Sequence, residues 1–225
     1  MVVSPLALII MKKYFPLRVS TLSINWLNII CALVFIIPAK VCQSQEINDS
    51  LLIATARVYR NLSEALQNKD SVYILDLSKQ KFATIPPEVF LLTNLRILKM
   101  EKCKLQSINS EIEKLTLLHE LNLANNKIVA ITPKIGTLNN LKVLNLNRNL
   151  IEEIPSEIGN LRNLRELYMW DNELSIFPNE LKQLSALKIF ELRGILIDET
   201  DQQRIKALLP DCKVMMSPSC NCKTY

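Results

Sequence analysis

Between Val72 and Ile197 one pattern is written six times. Val72, Leu95, Leu118, Leu141, Leu164 and Leu187 each open a copy, and each stands 23 residues after its predecessor. Within a copy, apolar residues occupy positions 1, 4, 6 and 11, and position 9 is usually Asn. The clearest copy runs Leu141-Lys-Val-Leu144-Asn-Leu146-Asn-Arg-Asn149-Leu-Ile151. A fixed period of this length dictates a stack of near-identical units. One copy cannot bury its apolar residues alone, whereas stacked copies share a continuous core.

Positions 3 to 5 are expected to form a short strand in every copy, with successive strands joined into one parallel sheet. Side chains alternate across a strand. Positions 4 and 6 therefore point inward, and positions 1, 11 and the later Ile and Leu residues close the interior. Position 9 reads Gln80, Cys103, Asn126, Asn149, Asn172 and Ile195. Asn126, Asn149 and Asn172 are expected to be structural, their amides bonding to backbone groups of adjacent coils that would be costly to bury unpaired. Cys103 reads as a small buried substitute for Asn.

Charge excludes some partners. The chain holds 27 Lys and Arg against 22 Asp and Glu. Lys12, Lys13, Arg18 and Lys40 lie in the first 44 residues, which carry no acid, so the remainder is close to neutral. The repeats thus give no charge argument for nucleic acid or an anionic membrane. Gly is scarce at 3 residues, which argues against Gly-rich nucleotide loops and flexible low-complexity segments.

Residues 1–44 show a positive start, an apolar run from about Leu22 to Ile37, and a short stretch ending Cys42-Gln-Ser44. That order reads as a secretory signal peptide, with the mature chain starting near Gln45. Met11-Lys-Lys is a more usual opening than Met1-Val-Val, so translation is expected to begin at Met11. The alternative is a retained N-terminal anchor, although the run is short for a span of about 20 residues. Lipidation at Cys42 is disfavoured because Val41 and Lys40 precede it. Residues 45–71 are expected to form an N-terminal helical cap. Asp49 and Ser50 suit an N-cap, and Ala54, Val58, Leu62 and Ala65 recur at helical spacing.

The motif Leu-x-x-Leu-x-Leu-x-x-Asn-x-Leu resembles the leucine-rich repeat family. The second halves sharpen the likeness: Ile85-Pro-Pro-Glu-Val89, Ile108-Asn-Ser-Glu-Ile112, Ile131-Thr-Pro-Lys-Ile135, Ile154-Pro-Ser-Glu-Ile158 and Phe177-Pro-Asn-Glu-Leu181. They are similar to the 23-residue class found in plant, animal and bacterial interaction proteins. The resemblance implies an α/β, right-handed leucine-rich-repeat solenoid with a short parallel concave sheet over 72–197 and helical caps at both ends. With the leader, it implies an exported protein, periplasmic, cell-surface or extracellular, of bacterial origin.

The resemblance also implies that partners bind the concave face. Exposed Trp, Tyr and Arg dominate binding energy at interfaces. Trp170 and Tyr168 share one strand face, and Arg148 and Arg193 come from flanking copies. The expected contact patch is Trp170 with Tyr168, Arg148, Arg193, Asn145, Asn147 and Glu166. The alternative is that Trp170 simply packs on Asn147 and Arg193. The ligand class is a protein or peptide, with a glycan as the alternative; no nucleic acid is expected, and membrane only if the leader is retained.

Residues 198–225 read as a C-terminal cap with a Cys-containing tail. Asp198-Glu-Thr-Asp201 places acids at a helix start, Ile205, Leu208 and Leu209 give an apolar stripe, and a last strand can follow Pro210. A Cys212 bridge to Cys220 or Cys222 suits an exported chain. Zinc is disfavoured because no fourth Cys or His lies nearby. No catalytic residues, metal or cofactor are expected: His119 is the one His and has no nucleophile beside it by motif, and phosphate-loop, metal and serine-elbow motifs are absent. The chain therefore reads as a non-catalytic interaction module. The alternative is a membrane-anchored structural or adhesion component of the cell envelope.

Overall fold

The computed structural model describes residues 49–219. Among these, eight short strands form one open parallel sheet whose spatial order follows the chain. They are β1 (Val58–Tyr59), β2 (Ile74–Asp76), β3 (Ile97–Lys99), β4 (Glu120–Asn122), β5 (Val143–Asn145), β6 (Glu166–Tyr168), β7 (Ile189–Leu192) and β8 (Lys213–Met216). Strands β2 to β7 start at position 3 of the six copies. The register sets Leu75, Leu98, Leu121, Leu144, Leu167 and Phe190 side by side. All six are fully buried, as are Leu77, Met100, Leu123, Leu146, Met169 and Leu192 at position 6. Each such side chain contributes about 1.5–3 kcal/mol of transfer free energy.

The other wall is made of 3-10 turns. Pro87–Leu91, Ser110–Lys114, Pro133–Thr137, Ser156–Asn160 and Asn179–Gln183 each begin at the third residue of the Ile-Pro-x-x-Ile stretch or its variant. They bury Val89, Ile112, Ile135, Ile158 and Leu181. Pro is tolerated there because a first-turn N–H has no intrahelical partner. Coils press together closely on this wall: a Cβ on Gly136 would lie 2.5 Å from the Glu157 carbonyl oxygen.

Polar side chains tie coil to coil. Asn149 donates from Nδ2 to the carbonyls of Leu123 (3.1 Å) and Leu146 (2.9 Å), and its Oδ1 accepts from the Ile128 N–H (3.1 Å). Asn126 and Asn172 repeat the arrangement. Cys103 takes over the donor role: its Sγ lies 3.2 Å from the Leu77 carbonyl oxygen. Burial pushes the Cys103 thiol up, which keeps it protonated for that contact. A second series was not expected. Asn94, Asn140 and Asn163 donate to the carbonyls of Asp70, Thr116 and Asn139, each one coil back.

The turn leaving each strand has its own demand. Lys79, Lys102, Asn125, Arg148, Asp171 and Gly194 all stand at position 8, and all have φ between 54° and 73°. Five non-glycine residues thus occupy the left-handed region, which the hydrogen-bonded stack enforces.

The ends differ from expectation in one respect. Residues 45–71 do not form one continuous helix. Helical residues run to 55, the chain extends as β1 beside β2, and a helix then spans Leu62–Gln67. Asn61 caps that helix by accepting from the Glu64 N–H at 3.1 Å. Pairing with the sheet edge outweighs the helical spacing of Ala54, Val58 and Leu62, because an unpaired strand edge leaves backbone groups unsatisfied. At the other end Asp198 caps the helix Glu199–Leu208, accepting from the Asp201 N–H at 2.7 Å. Ile205 is buried, and β8 adds the final strand against β7. Among the described residues no helix is long and apolar enough to cross a membrane.

Candidate functional site

Positions 3, 5 and 7 of each copy form the exposed face of the sheet. On β6 and the turn after it, Glu166, Tyr168 and Trp170 project from that face in sequence, and all three are half-buried. The Tyr168 hydroxyl donates to Glu166 Oε2 at 2.7 Å. That bond stabilises the neutral phenol and pushes the Tyr168 pKa up from 10.0 to about 12. Trp170 is fixed twice. Its backbone N–H donates to Asn147 Oδ1 at 2.7 Å, and the Arg148 guanidinium lies 4.3 Å from the ring centroid. A cation over an indole face is attracted by the ring quadrupole. Asn145 holds the preceding turn, its Oδ1 accepting from the Asn147 N–H at 3.1 Å.

Arg193 is the exception among the expected patch residues. Its guanidinium forms a two-pronged pair with Glu191, Nε to Oε1 at 2.7 Å and Nη2 to Oε2 at 2.8 Å. Glu191 is only 4% exposed, so Arg193 serves a buried carboxylate. From that coil Gly194 lies close against the indole: a Cβ there would stand 3.1 Å from Trp170 Nε1. Asp171 also enters the site, 3.7 Å from Arg148 Nε. Glu191 could have been singled out from the sequence, since positions 5 and 7 share a face. Gly194 could not, because its role rests on approach between coils.

The Tyr168–Glu166 bond gives a direct test. Tyr168 is expected to ionise near pH 12, and Glu166→Gln to return it toward the ordinary value near 10. Because the folded value is raised, the bond's stabilising contribution is complete below about pH 10 and disappears as pH rises through about 12. Tyrosinate absorbance of wild type and variant checks this; identical titrations would contradict it.

The remaining candidates are dispersed. Among the described residues no group of three or more His, Cys, Asp or Glu is placed to hold a metal ion. His119 is half-buried, and its backbone carbonyl accepts from the Lys142 and Val143 N–H groups. Burial pushes the Cys212 thiol up to about 11. Cys220 and Cys222, its expected disulfide partners, lie outside the described residues, as do the leader and the start at Met11 or Gln45.

A model of the leucine-rich repeat region matches residues 80–210. A search of the curated proteins finds no match. Solved structures do resemble the chain. An internalin from Listeria monocytogenes is 21% identical over 66% of this chain and 44% of its own, with TM-score 0.56. The leucine-rich-repeat ectodomain of the Arabidopsis thaliana membrane receptor kinase GASSHO1/SCHENGEN3, solved with Casparian strip integrity factor 2, is 25% identical over 72% of this chain and 20% of its own, with TM-score 0.57. The PEPR1–AtPEP1 structure is 25% identical over 68% and 22%, with TM-score 0.56. The chain thus spans less than half the length of each.

Proposed function

This chain belongs to the leucine-rich repeat family, and from that membership we propose that it is a non-catalytic module that binds a protein or peptide on the exposed face of its sheet. The observation that carries the proposal is Trp170. The indole stands half-buried on that face, fixed from the backbone by Asn147 and covered by Arg148. A side chain already held in place loses little freedom on binding, so its contact area converts efficiently into affinity. Tyr168, held by Glu166, extends the same surface. Two similar structures contain partners, Casparian strip integrity factor 2 in one and AtPEP1 in the other, which supports a peptide or protein as the ligand class. No bond is made or broken; recognition rests on shape and side-chain complementarity. The succession of basic, apolar and small residues along positions 1–44 supports export, with release near Gln45.

Affinity capture with the chain from Gln45 onward, repeated with Trp170→Ala, tests the reading. A partner retained by the wild type is expected to bind the variant at least about 30-fold more weakly, the loss of a hot-spot residue. Undiminished affinity in a variant that unfolds like the wild type would overturn it.

A further inference from the structure

The turns that leave the strands form a stacked edge beside the sheet, held in register coil to coil. The Lys79 N–H donates to the Glu101 carbonyl (2.7 Å), the Lys102 N–H to the Ala124 carbonyl (3.1 Å) and the Lys127 N–H to the Leu105 carbonyl (2.7 Å). Equal positions therefore repeat at the spacing of neighbouring strands, about 4.8 Å. In copies one to three, Lys79 and Lys102 stand at position 8, and Lys81, Lys104 and Lys127 at position 10, all exposed. Positions 8 to 13 of these three copies contain no acid. Lys102 pairs with Glu101 at 3.2 Å; the other four lysines make no ion pair among the described residues. The fold does not require lysine here. The same two positions of copies four to six hold Arg148, Leu150, Asp171, Glu173, Gly194 and Leu196. Three of the lysines also sit in strained backbone: Lys79, Lys102 and Lys104 have φ of 65°, 58° and 69°, a region that Asn, Asp and Gly enter more easily.

We propose that this edge binds a linear anionic polysaccharide, one carrying a carboxylate or sulfate on most of its sugars, laid along the stack. Five cations within two coil steps, about 10 Å, repel one another and gather counterions. A polyanion takes the place of those ions and releases them. The spacing favours a sugar chain. One pyranose advances a linear polysaccharide by close to one coil step, so successive acidic groups meet successive lysines. In an extended acidic peptide, side chains facing one way recur every second residue, about 6.6 Å, and fall out of step. A single-stranded nucleic acid uses exposed aromatic rings for its bases to stack on; Phe82, the one aromatic residue of these turns, packs on the core. A bilayer takes up apolar side chains at the headgroup level, and the turns of copies one and two expose no large apolar side chain. The contact uses the turns and leaves the open face of the sheet, with Trp170, available; it does not rest on the proposed ligand site.

Fluorescence anisotropy of labelled polymers titrated with the full chain tests the proposal. At low salt, dextran sulfate or polygalacturonate is expected to bind, and neutral dextran is not. Affinity is expected to fall at least about tenfold between about 0.05 M and about 0.2 M salt, the consequence of ions released at four or five contacts. Lys81→Glu, Lys104→Glu and Lys127→Glu combined are expected to weaken binding at least about tenfold in a protein that unfolds like the wild type. Lys182→Glu, Lys188→Glu and Lys206→Glu combined change the net charge equally at exposed positions elsewhere, and this control is expected to bind like the wild type. Trp170→Ala is expected to bind like the wild type as well. Equal losses from the two triple variants would overturn the proposal, because total charge and not this edge would then set affinity. So would polyglutamate, oligothymidylate or phosphatidylserine vesicles bound more tightly than either anionic polysaccharide, or no binding at low salt.

Discussion

Leu144→Ala is expected to destabilise the protein by about 2–5 kcal/mol, read as a fall in the urea midpoint at unchanged slope. Leu144 is fully buried and sits in register between Leu121 and Leu167. Its neighbours cannot collapse into the vacated space. The strands on both sides are held by the sheet ladder, and the opposite wall is held by turns already in close contact at Gly136. The cavity therefore persists, and residual cavity is what carries a core truncation beyond its transfer term. Leu150→Ala is the control: Leu150 stands on the surface of the next turn, and its loss is expected to change stability by at most about 0.5 kcal/mol. Equal effects from the two substitutions would contradict a shared interior.

Asn149→Ala is expected to cost about 2–4 kcal/mol, although it removes little apolar surface. The amide serves three backbone groups at once, the Ile128 N–H and the carbonyls of Leu123 and Leu146. Asn149 is itself 5% exposed, so these groups have little access to water when the side chain is gone. A buried donor or acceptor left unpaired costs about 1–3 kcal/mol. Here the Ile128 N–H is left without a partner, while the Leu123 and Leu146 carbonyls keep the Asn126 and Asn172 amides and lose one bond each, which together give the stated range. The same chemical-denaturation measurement checks it, and a loss under about 1 kcal/mol would show that water or the backbone replaces the amide.

Much of this was legible in the chain because a repeat states each rule six times. The 23-residue period fixed which strands pair, and alternation fixed that Leu75 and Leu77 face inward while Asp76 does not. The buried position-9 asparagines followed from the same count. Three features stayed hidden, each for a physical reason. The strand β1 is only two residues long and lies within helix-like spacing; the sheet edge selects it, and that choice is non-local. The left-handed turn at position 8 is masked by Lys79, Lys102 and Arg148, residue types that do not advertise positive φ, although Asn125, Asp171 and Gly194 do. The approach of Gly194 to the Trp170 indole depends on how closely two coils meet, a property of the packed stack that composition does not carry. The second asparagine series, by contrast, was readable: Asn94, Asn140 and Asn163 fall at whole multiples of 23.

In the candidate site, the expected residues Trp170, Arg148, Asn147, Asn145, Tyr168 and Glu166 lie together because two consecutive coils bring them there. Arg193 departs because a nearer anion claims it. The site is thus a consequence of the stack, and its usefulness as a binding surface depends on that stack being rigid.

Amide hydrogen exchange measures this directly. If the coils share one interior, the strand amides of Leu121, Leu144 and Leu167 exchange together, only through cooperative opening, and the Trp170 amide bonded to Asn147 is protected with them. Coil-by-coil exchange at unrelated rates, with the Trp170 amide exchanging as if exposed, would contradict both the shared core and the fixed surface built on it.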